Sequence, residues 1–301
     1  MSRLKFILIL LLATTSFSQS KLDEFLTPSD TLNTSRRTMV YITEAAVGGL
    51  TLLALDQLWY ADYERSKFHT INDNNEWLQM DKMGHVFSSY QMGRIGASVL
   101  NWSGASKKEQ LIYGSTLGFT FLTAVEVLDG FSKEWGFSWG DMLANGVGTG
   151  LYIGQELLWE EQRMTLKFSF HQTKYANLSP DKLGNGFLEE LLKDYNGQTY
   201  WLSFNIHSFI NSDHIPKWLN LAVGYSADGM VFAHNEPVNN FVTNKNRKRQ
   251  FYLSLDVDLS RIKTKSPVLR SVFDVLNVIK VPFPALEFTD KNSIKLHGIY
   301  F

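Results

Sequence analysis

Two periods divide this chain. Through residues 38–161 the apolar positions come in long runs of helical texture. From Arg163 onward they alternate with polar ones. The first half predicts four helices, over residues 38–60, 81–102, 108–128 and 139–159, each about twenty residues long and so near the length that crosses a bilayer. Gly114-x-x-x-Gly118 and Gly146-x-x-x-Gly150-x-x-x-Gly154 place small residues on one helix face, which predicts close backbone approach. In the second half, Met164, Leu166, Phe168 and Phe170 alternate with Thr165, Lys167, Ser169 and His171. The same rhythm covers Leu202 to Ile206, Leu219 to Tyr225, Phe251 to Leu259 and Ile294 to Phe301, and predicts half-buried antiparallel strands. A helix is expected over residues 268–280, stopped by Pro282 and Pro284, and a polar loop over 239–249. The expected fold is therefore α+β: an N-terminal four-helix membrane-associated bundle (38–161), then a C-terminal antiparallel β sheet or partial barrel (162–301).

The N-terminus changes the picture of location. Arg3 and Lys5 precede the apolar run Phe6 to Leu12, and Ser16-Phe17-Ser18 has the small-x-small form of a cleavage site. Residues 1–19 read as a signal peptide, with the mature chain starting near Gln19, and 20–37 as a polar linker containing Pro28. The sequence has no Cys, which excludes disulfides, Cys-held zinc, iron–sulfur clusters, thiol catalysis and a lipid anchor on cysteine. Lys plus Arg is 29 and Asp plus Glu is 30, a net charge of −1, so no nucleic-acid partner is expected. Four inner-membrane crossings would put Arg36-Arg37 and Lys107-Lys108 outside, against the positive-inside rule. The cell envelope is expected, with outer membrane or periplasm favoured over inner membrane. Phe301, an aromatic residue closing a strand, agrees with that, although five or six strands are fewer than the eight of the smallest closed barrels.

The polar residues of the helical half gather at one end. Asp81, Lys82 and His85 open the second helix, with Asp81 and His85 one turn apart. Glu126 and Asp129 end the third, and Asp141 and Asn145 open the fourth. Up-down topology carries all seven to the same tip, beside the Gly- and aromatic-rich loop Gly130 to Ser138. Asp81 and Asp141 could instead be helix caps, and the whole cluster structural. Arg94 could pair with Glu126. As a site, the group suits a membrane lipid or envelope glycan headgroup, held by Asp81, Lys82, His85 and Asn145. Alternatively His85, Glu126 and Asp141 would hold a divalent metal such as Mn, Fe or Zn, with Asp129 as base of a hydrolase.

Asp81-Lys82-x-x-His85, then Glu126, then Asp141-x-x-x-Asn145-x-x-Gly148 resembles the VanZ-type helical pattern, and is closer to the YfiM-like family of predicted envelope lipoproteins, a domain of unknown function. The chain departs from the VanZ-like pattern at Tyr90, one residue late, at Asp129 in place of Gln, and in having no Arg before Asp141. The β-rich half resembles an extension seen on envelope proteins of Bacteroidetes-type bacteria. The resemblance implies an envelope address and no established activity. The expected role is thus an exported, membrane-associated protein that binds a headgroup or serves as a structural component of an envelope protein assembly. A metal-dependent hydrolase of an envelope lipid or glycan is the alternative.

Overall fold

The computed structural model describes residues 21–60, 63–210, 212–234, 237–238, 242–243 and 247–301. The expected signal peptide lies outside these residues, as does Lys245 of the expected polar loop. Four long helices form close to where the apolar runs predict them. They are α1 (Thr34–Leu55), α2 (Met80–Trp102), α3 (Lys107–Gly130) and α4 (Trp139–Trp159). Local chemistry sets their starts. Asn33 caps α1 by accepting the Arg36 N–H at 3.0 Å, Ser106 and Glu109 form a reciprocal capping box on α3, and Ser138 caps α4. Two-residue strands β1 (Thr70–Ile71) and β2 (Phe137–Ser138) pair in parallel and tie the loop after α1 to the start of α4.

Glycine decides which helices pack. A Cβ on Gly96 would sit 2.5 Å from the Gly114 carbonyl oxygen, and one on Gly118 2.3 Å from that of Ser89. A Cβ on Gly148 would meet the Val86 oxygen at 2.2 Å. So α2 is the central rod, with α3 on one side and α4 on another, at distances only glycine permits. The 114/118 ridge is used as expected. The ridge at Gly146, Gly150 and Gly154 is not: a Cβ on Gly150 or Gly154 would meet nothing within 4 Å. Gly148, two residues from Gly146, lies on the opposite side of the helix, and that side faces α2.

The expected bundle of four is a close pack of three with α1 set beside it. Val40 is the one buried residue among those of α1 whose burial is described, and Ile42, Val47, Leu50 and Leu53 are exposed. A groove of about 770 Å³ separates α1 from α3, lined by Gly49, Leu52, Thr120 and Ala124 among others. The cause is local: a Cβ on Gly49 would meet nothing within 4 Å and one on Gly48 only Phe121 at 3.9 Å, so neither glycine brings α1 into close backbone contact with a neighbour. By length and composition alone, α1 and α3 are the two described helices apolar enough to cross a membrane.

The second half is a six-stranded antiparallel sheet. Its strands are β3 (Met164–Phe170), β4 (Gln198–Asn205), β5 (Leu219–Asp228), β6 (Lys248–Val257), β7 (Phe283–Thr289) and β8 (Ile294–Tyr300). They pair in the order β8-β7-β6-β5-β4-β3. Strand β7 was not expected, because Pro282 and Pro284 read as helix stops; the prolines sit at its start, where a missing N–H does least harm. The longer helices beside the sheet are α5 (Phe187–Lys193), which was also not expected, and α6 (Pro267–Leu276), which starts one residue before the span predicted for it and ends four before its close. The free edge of β3 is covered by the segment after α6: Phe168 donates to the Val278 carbonyl and Lys280 to that of Phe168, both at 2.9 Å.

This sheet is polar inside and apolar outside. The inward row holds Lys167, Ser203, Asn205, Asn220, Asp256 and Glu287, all buried, around Trp201, Tyr252 and Tyr300. Lys167 and Asp256 form an ion pair at 2.8 Å with both side chains fully buried, and the Ser203 hydroxyl donates to Asp256 at 2.7 Å. Thr199 Oγ1 and Tyr300 OH, 3.0 Å apart, link β4 to β8 across the interior, so the sheet is rolled. Facing outward, Leu221, Val223, Phe251, Leu253, Leu255, Leu286, Phe288 and Leu296 are 38–70% exposed. The register makes them one patch, since Val223 faces Leu253, Leu253 faces Leu286 and Leu286 faces Leu296. On β3 and β4 the outward side is covered instead, with Leu166 on Tyr90 and Tyr152 and Phe168 on Phe87.

Two outcomes follow from this packing. Gly96→Val forces α2 from α3 and lowers unfolding stability by about 1–3 kcal/mol in denaturant titration, whereas Gly150→Ala leaves it unchanged or raises it slightly. Burial holds the Lys280 ammonium down to about 8, against the pull of Asp256 and with help from Lys167. The unfolded chain then binds the extra proton, so stability rises with pH from about 8 to about 10.5, and below that window the full penalty is present. Lys280→Met abolishes this slope and raises the melting temperature at pH 7.

Candidate functional site

The site grows from a strained turn. Trp77, Leu78 and Gln79, just before α2, have φ of 45°, 52° and 64°. Left-handed backbone costs non-glycine residues roughly 1–2 kcal/mol each, so other contacts hold it. The Trp77 N–H donates to the Ala233 carbonyl at 3.0 Å, Tyr225 OH donates to the Leu78 carbonyl, and Arg249 donates to Gln79 Oε1 at 2.6 Å. The β half thereby fixes where α2 begins, and so where Asp81, Lys82 and His85 point.

Lys82 is the hub. Its Nζ lies 2.6 Å from Asp73 Oδ2, 2.8 Å from Asp141 Oδ1 and 3.3 Å from Asp81 Oδ2. The hydrogen bond to Asp141 runs to Oδ2 at 2.9 Å, and Asp141 Oδ1, fully buried, accepts none. Neither Asp81 nor Asp141 is a helix cap: Ser138 caps α4, accepting the Asp141 N–H at 3.1 Å and donating to Asp73 Oδ1 at 2.6 Å.

His85 faces the other side of the same acids. Its Nε2 is 3.7 Å from Glu126 Oε1, 3.8 Å from Asp141 Oδ1 and 3.9 Å from Asp81 Oδ1, each too long for a hydrogen bond. Its Nδ1 is 3.0 Å from Asn145 Oδ1. Glu126 is fixed by the Ser138 N–H on Oε2 at 3.0 Å, and Asp81 by Tyr195 OH on Oδ1 at 2.9 Å. Asp129 stands apart, accepting from Tyr60 OH at 2.6 Å. Arg94 does not reach Glu126; it donates to Gln91 Oε1 at 2.8 Å and to the Asp274 carbonyl at 3.2 Å.

The electrostatics follow from crowding acids in a dry place. Burial, then the charge of Asp81, pushes the Asp141 carboxyl up to about 8. Burial acts the same way on Asp81 and Asp73, but His85 and Lys82 hold Asp81 below the usual carboxylate range, and Lys82 with Ser138 does so for Asp73. Burial opposes the charged forms of Lys82 and His85, and the surrounding acids outweigh it and raise both.

A cavity of about 320 Å³ opens over Asp81 and His85. Tyr195, Gln198, Ser88, Phe87, Leu122, Leu191 and Leu192 also line it, so one side is polar and the other apolar. Lys82 and Asn145 do not line it. The structure therefore brings Asp81, Lys82, His85, Glu126, Asp141 and Asn145 together, leaves Asp129 on a neighbouring bond to Tyr60, and adds Asp73, Ser138 and Tyr195. Tyr195 comes 114 residues after Asp81 from the loop following α5, and no local pattern marks it.

Fold and site define an α+β protein whose acid–histidine centre sits at a helical tip and is positioned by a polar-lined sheet. A family model described as predicted periplasmic lipoprotein (DUF2279) matches residues 71–154. That stretch runs from β1 into α4 and contains every expected site residue; the sheet lies beyond it. The description fits an exported cell-envelope protein and assigns no activity. Neither a curated protein nor a solved structure matches the chain.

Lys82→Met leaves Asp73, Asp81 and Asp141 without their ammonium. Unfolding experiments should show a loss of about 3–5 kcal/mol at pH 8, shrinking toward pH 5 as the acids take up protons. A loss independent of pH would show that the side chain matters by packing alone.

Proposed function

We propose that this chain is an envelope protein seated against a bilayer, with the periplasmic side of the outer membrane favoured, and that its cavity takes the headgroup end of an amphiphilic envelope lipid or glycan. The observation that carries the reading is the inverted sheet. In a sheet meant for water the alternation buries its apolar row. Here the polar row is buried, down to a fully enclosed ion pair, and the apolar row faces out. That is the arrangement of strands in contact with lipid, and β5 and β6, at 10 residues each, are of the length such strands have. Exposed Ile42, Leu50 and Leu53 of α1, and Leu143, Val147 and Leu157 of α4, add apolar surface from the helical half.

The headgroup reading draws on the cavity's two-sided lining. Asp81, His85 and Tyr195 offer charge and hydrogen bonds, while Phe87, Leu122, Leu191 and Leu192 offer a wall for the first methylenes of a chain. The Asp81-Lys82-x-x-His85 and Asp141-x-x-x-Asn145 motifs, which resemble the YfiM-like and VanZ-like patterns, belong to this centre. Lys82 and Asn145 act from beneath, by setting Asp141 and His85.

Vesicle flotation tests the seat. Wild type floats with phosphatidylethanolamine–phosphatidylglycerol vesicles, and Leu253→Lys/Leu286→Lys cuts the bound fraction at least tenfold, since a lysine on a lipid face costs up to about 2–4 kcal/mol. Equal flotation of the two overturns it. Ser88→Trp, which fills the cavity, floats like wild type but retains less co-purified lipid by native mass spectrometry; unchanged retention removes the headgroup reading alone.

A further inference from the structure

We infer that His85 Nε2, Asp81 Oδ1, Glu126 Oε1 and Asp141 Oδ1 form a binding site for one divalent first-row transition-metal ion. The three oxygens stand around Nε2 beyond hydrogen-bond distance. Nε2 lies 3.7–3.9 Å from each of the three oxygens. The ligand atoms of Asp81, His85 and Asp141 all fall within 4.8 Å of one another. An ion bound at 2.0–2.2 Å in tetrahedral geometry separates its ligands by about 3.4 Å, so Nε2 and each oxygen need to close by a few tenths of an ångström, and Glu126, outside the tighter trio, swings in to complete the set.

Acids in a cluster do not by themselves make a metal site, and two further features point to a ligand. Asp141 Oδ1, buried and 3.8 Å from Nε2, accepts no hydrogen bond; Lys82 bonds Oδ2 and meets Oδ1 only as an ion pair at 2.8 Å. The His85 ring is oriented from behind: Nδ1 lies 3.0 Å from the carbonyl oxygen of the buried Asn145. With that oxygen as acceptor, Nδ1 carries the proton and Nε2 presents its lone pair to three carboxylates. Such an array is repulsive unless a proton or a metal cation stands on Nε2, and a metal ion would take the place of that proton. Metal-bound histidines are oriented this way, by an outer acceptor on the second nitrogen. Glu126 and Asp81 have outer partners too, in the Ser138 N–H and Tyr195 OH.

Charge agrees. Asp73, Asp81 and Asp141 gather around one ammonium, Lys82, and Glu126 joins them through His85. With all four acids ionised and His85 neutral, as ligation requires, one ammonium leaves three negative charges in excess, and a divalent ion reduces the excess to one. A single imidazole with three carboxylates suits Mn²⁺, Fe²⁺ or Zn²⁺ better than Mg²⁺. Asp81 and His85 line the cavity, so a coordination position opens there. The ion would let an otherwise acidic cavity accept an anionic group such as a phosphate. The site itself does not depend on the amphiphile reading, and its test contains no lipid.

Full-length protein is purified in detergent, stripped with EDTA and dialysed, then titrated with Zn²⁺ or Mn²⁺ by calorimetry. Wild type binds one ion per chain. His85→Ala, Glu126→Gln and Asp141→Asn each weaken binding at least tenfold, Asn145→Ala weakens it about ten- to a hundredfold, and Asp129→Asn binds as wild type. Circular dichroism checks that each variant is folded. Should the variants fail to fold, Co²⁺ loaded into wild type provides the answer through the visible bands of a four-coordinate nitrogen–oxygen site. Absence of one-per-chain binding, or of those bands, or wild-type affinity in folded His85→Ala, overturns the inference.

Discussion

Four carboxylates served by one ammonium and one imidazole is the constraint on which this structure turns. Removing an acid from water is costly, and Asp73, Asp81, Glu126 and Asp141 are gathered where α2, α3, α4 and the β1–β2 pair converge. Lys82 answers for three of them, and backbone and hydroxyl donors from Ser138 and Tyr195 answer for part of the rest. None of these donors bonds His85 Nε2, which stands 3.7–3.9 Å from three carboxylate oxygens. The fold accordingly spends much of its local order on fixing these groups, including three successive left-handed residues clamped by the sheet. Order of this kind around an unfilled electrostatic need is what a binding centre requires.

The same inversion of usual preference appears at larger scale. The rolled sheet hides Lys167, Asp256 and Glu287 and shows Leu253, Leu286 and Phe288. The helical half hides its glycines and its acid cluster and shows Ile42, Leu50 and Val147. Both halves thus turn apolar surface outward and polar groups inward. They are joined where Leu166 and Phe168 meet Tyr90, Tyr152 and Phe87, and where the sheet grips the turn before α2. A surrounding apolar medium would reward this arrangement and sharpen the electrostatics of the cluster inside it.

The sequence carried much of this in its periods. Helix starts and ends were legible to within a few residues because apolar runs and caps mark them locally. The six long-range partners at the helical tip were legible because up-down topology converts residue order into position. Three things were not. The face that Gly148 presents depends on which neighbour α4 meets, and periodicity favoured the open ridge at Gly146, Gly150 and Gly154. The isolation of α1 rests on the absence of a matching surface, which no residue of α1 announces. Tyr195 and Asp73 join the site through the tertiary fold alone. Alternation also told where strands lie but not which row faces in, since that is set by the medium and the closure of the sheet rather than by the pattern.

The most direct test is anomalous diffraction from crystals of the full-length protein grown with Mn²⁺. The account predicts a single strong peak about 2.1–2.3 Å from His85 Nε2, bordered by Asp81, Glu126 and Asp141, with Lys82 still on Asp73. A map empty at that point, with His85 Nε2 drawn into a hydrogen bond with one of the carboxylates, would contradict it.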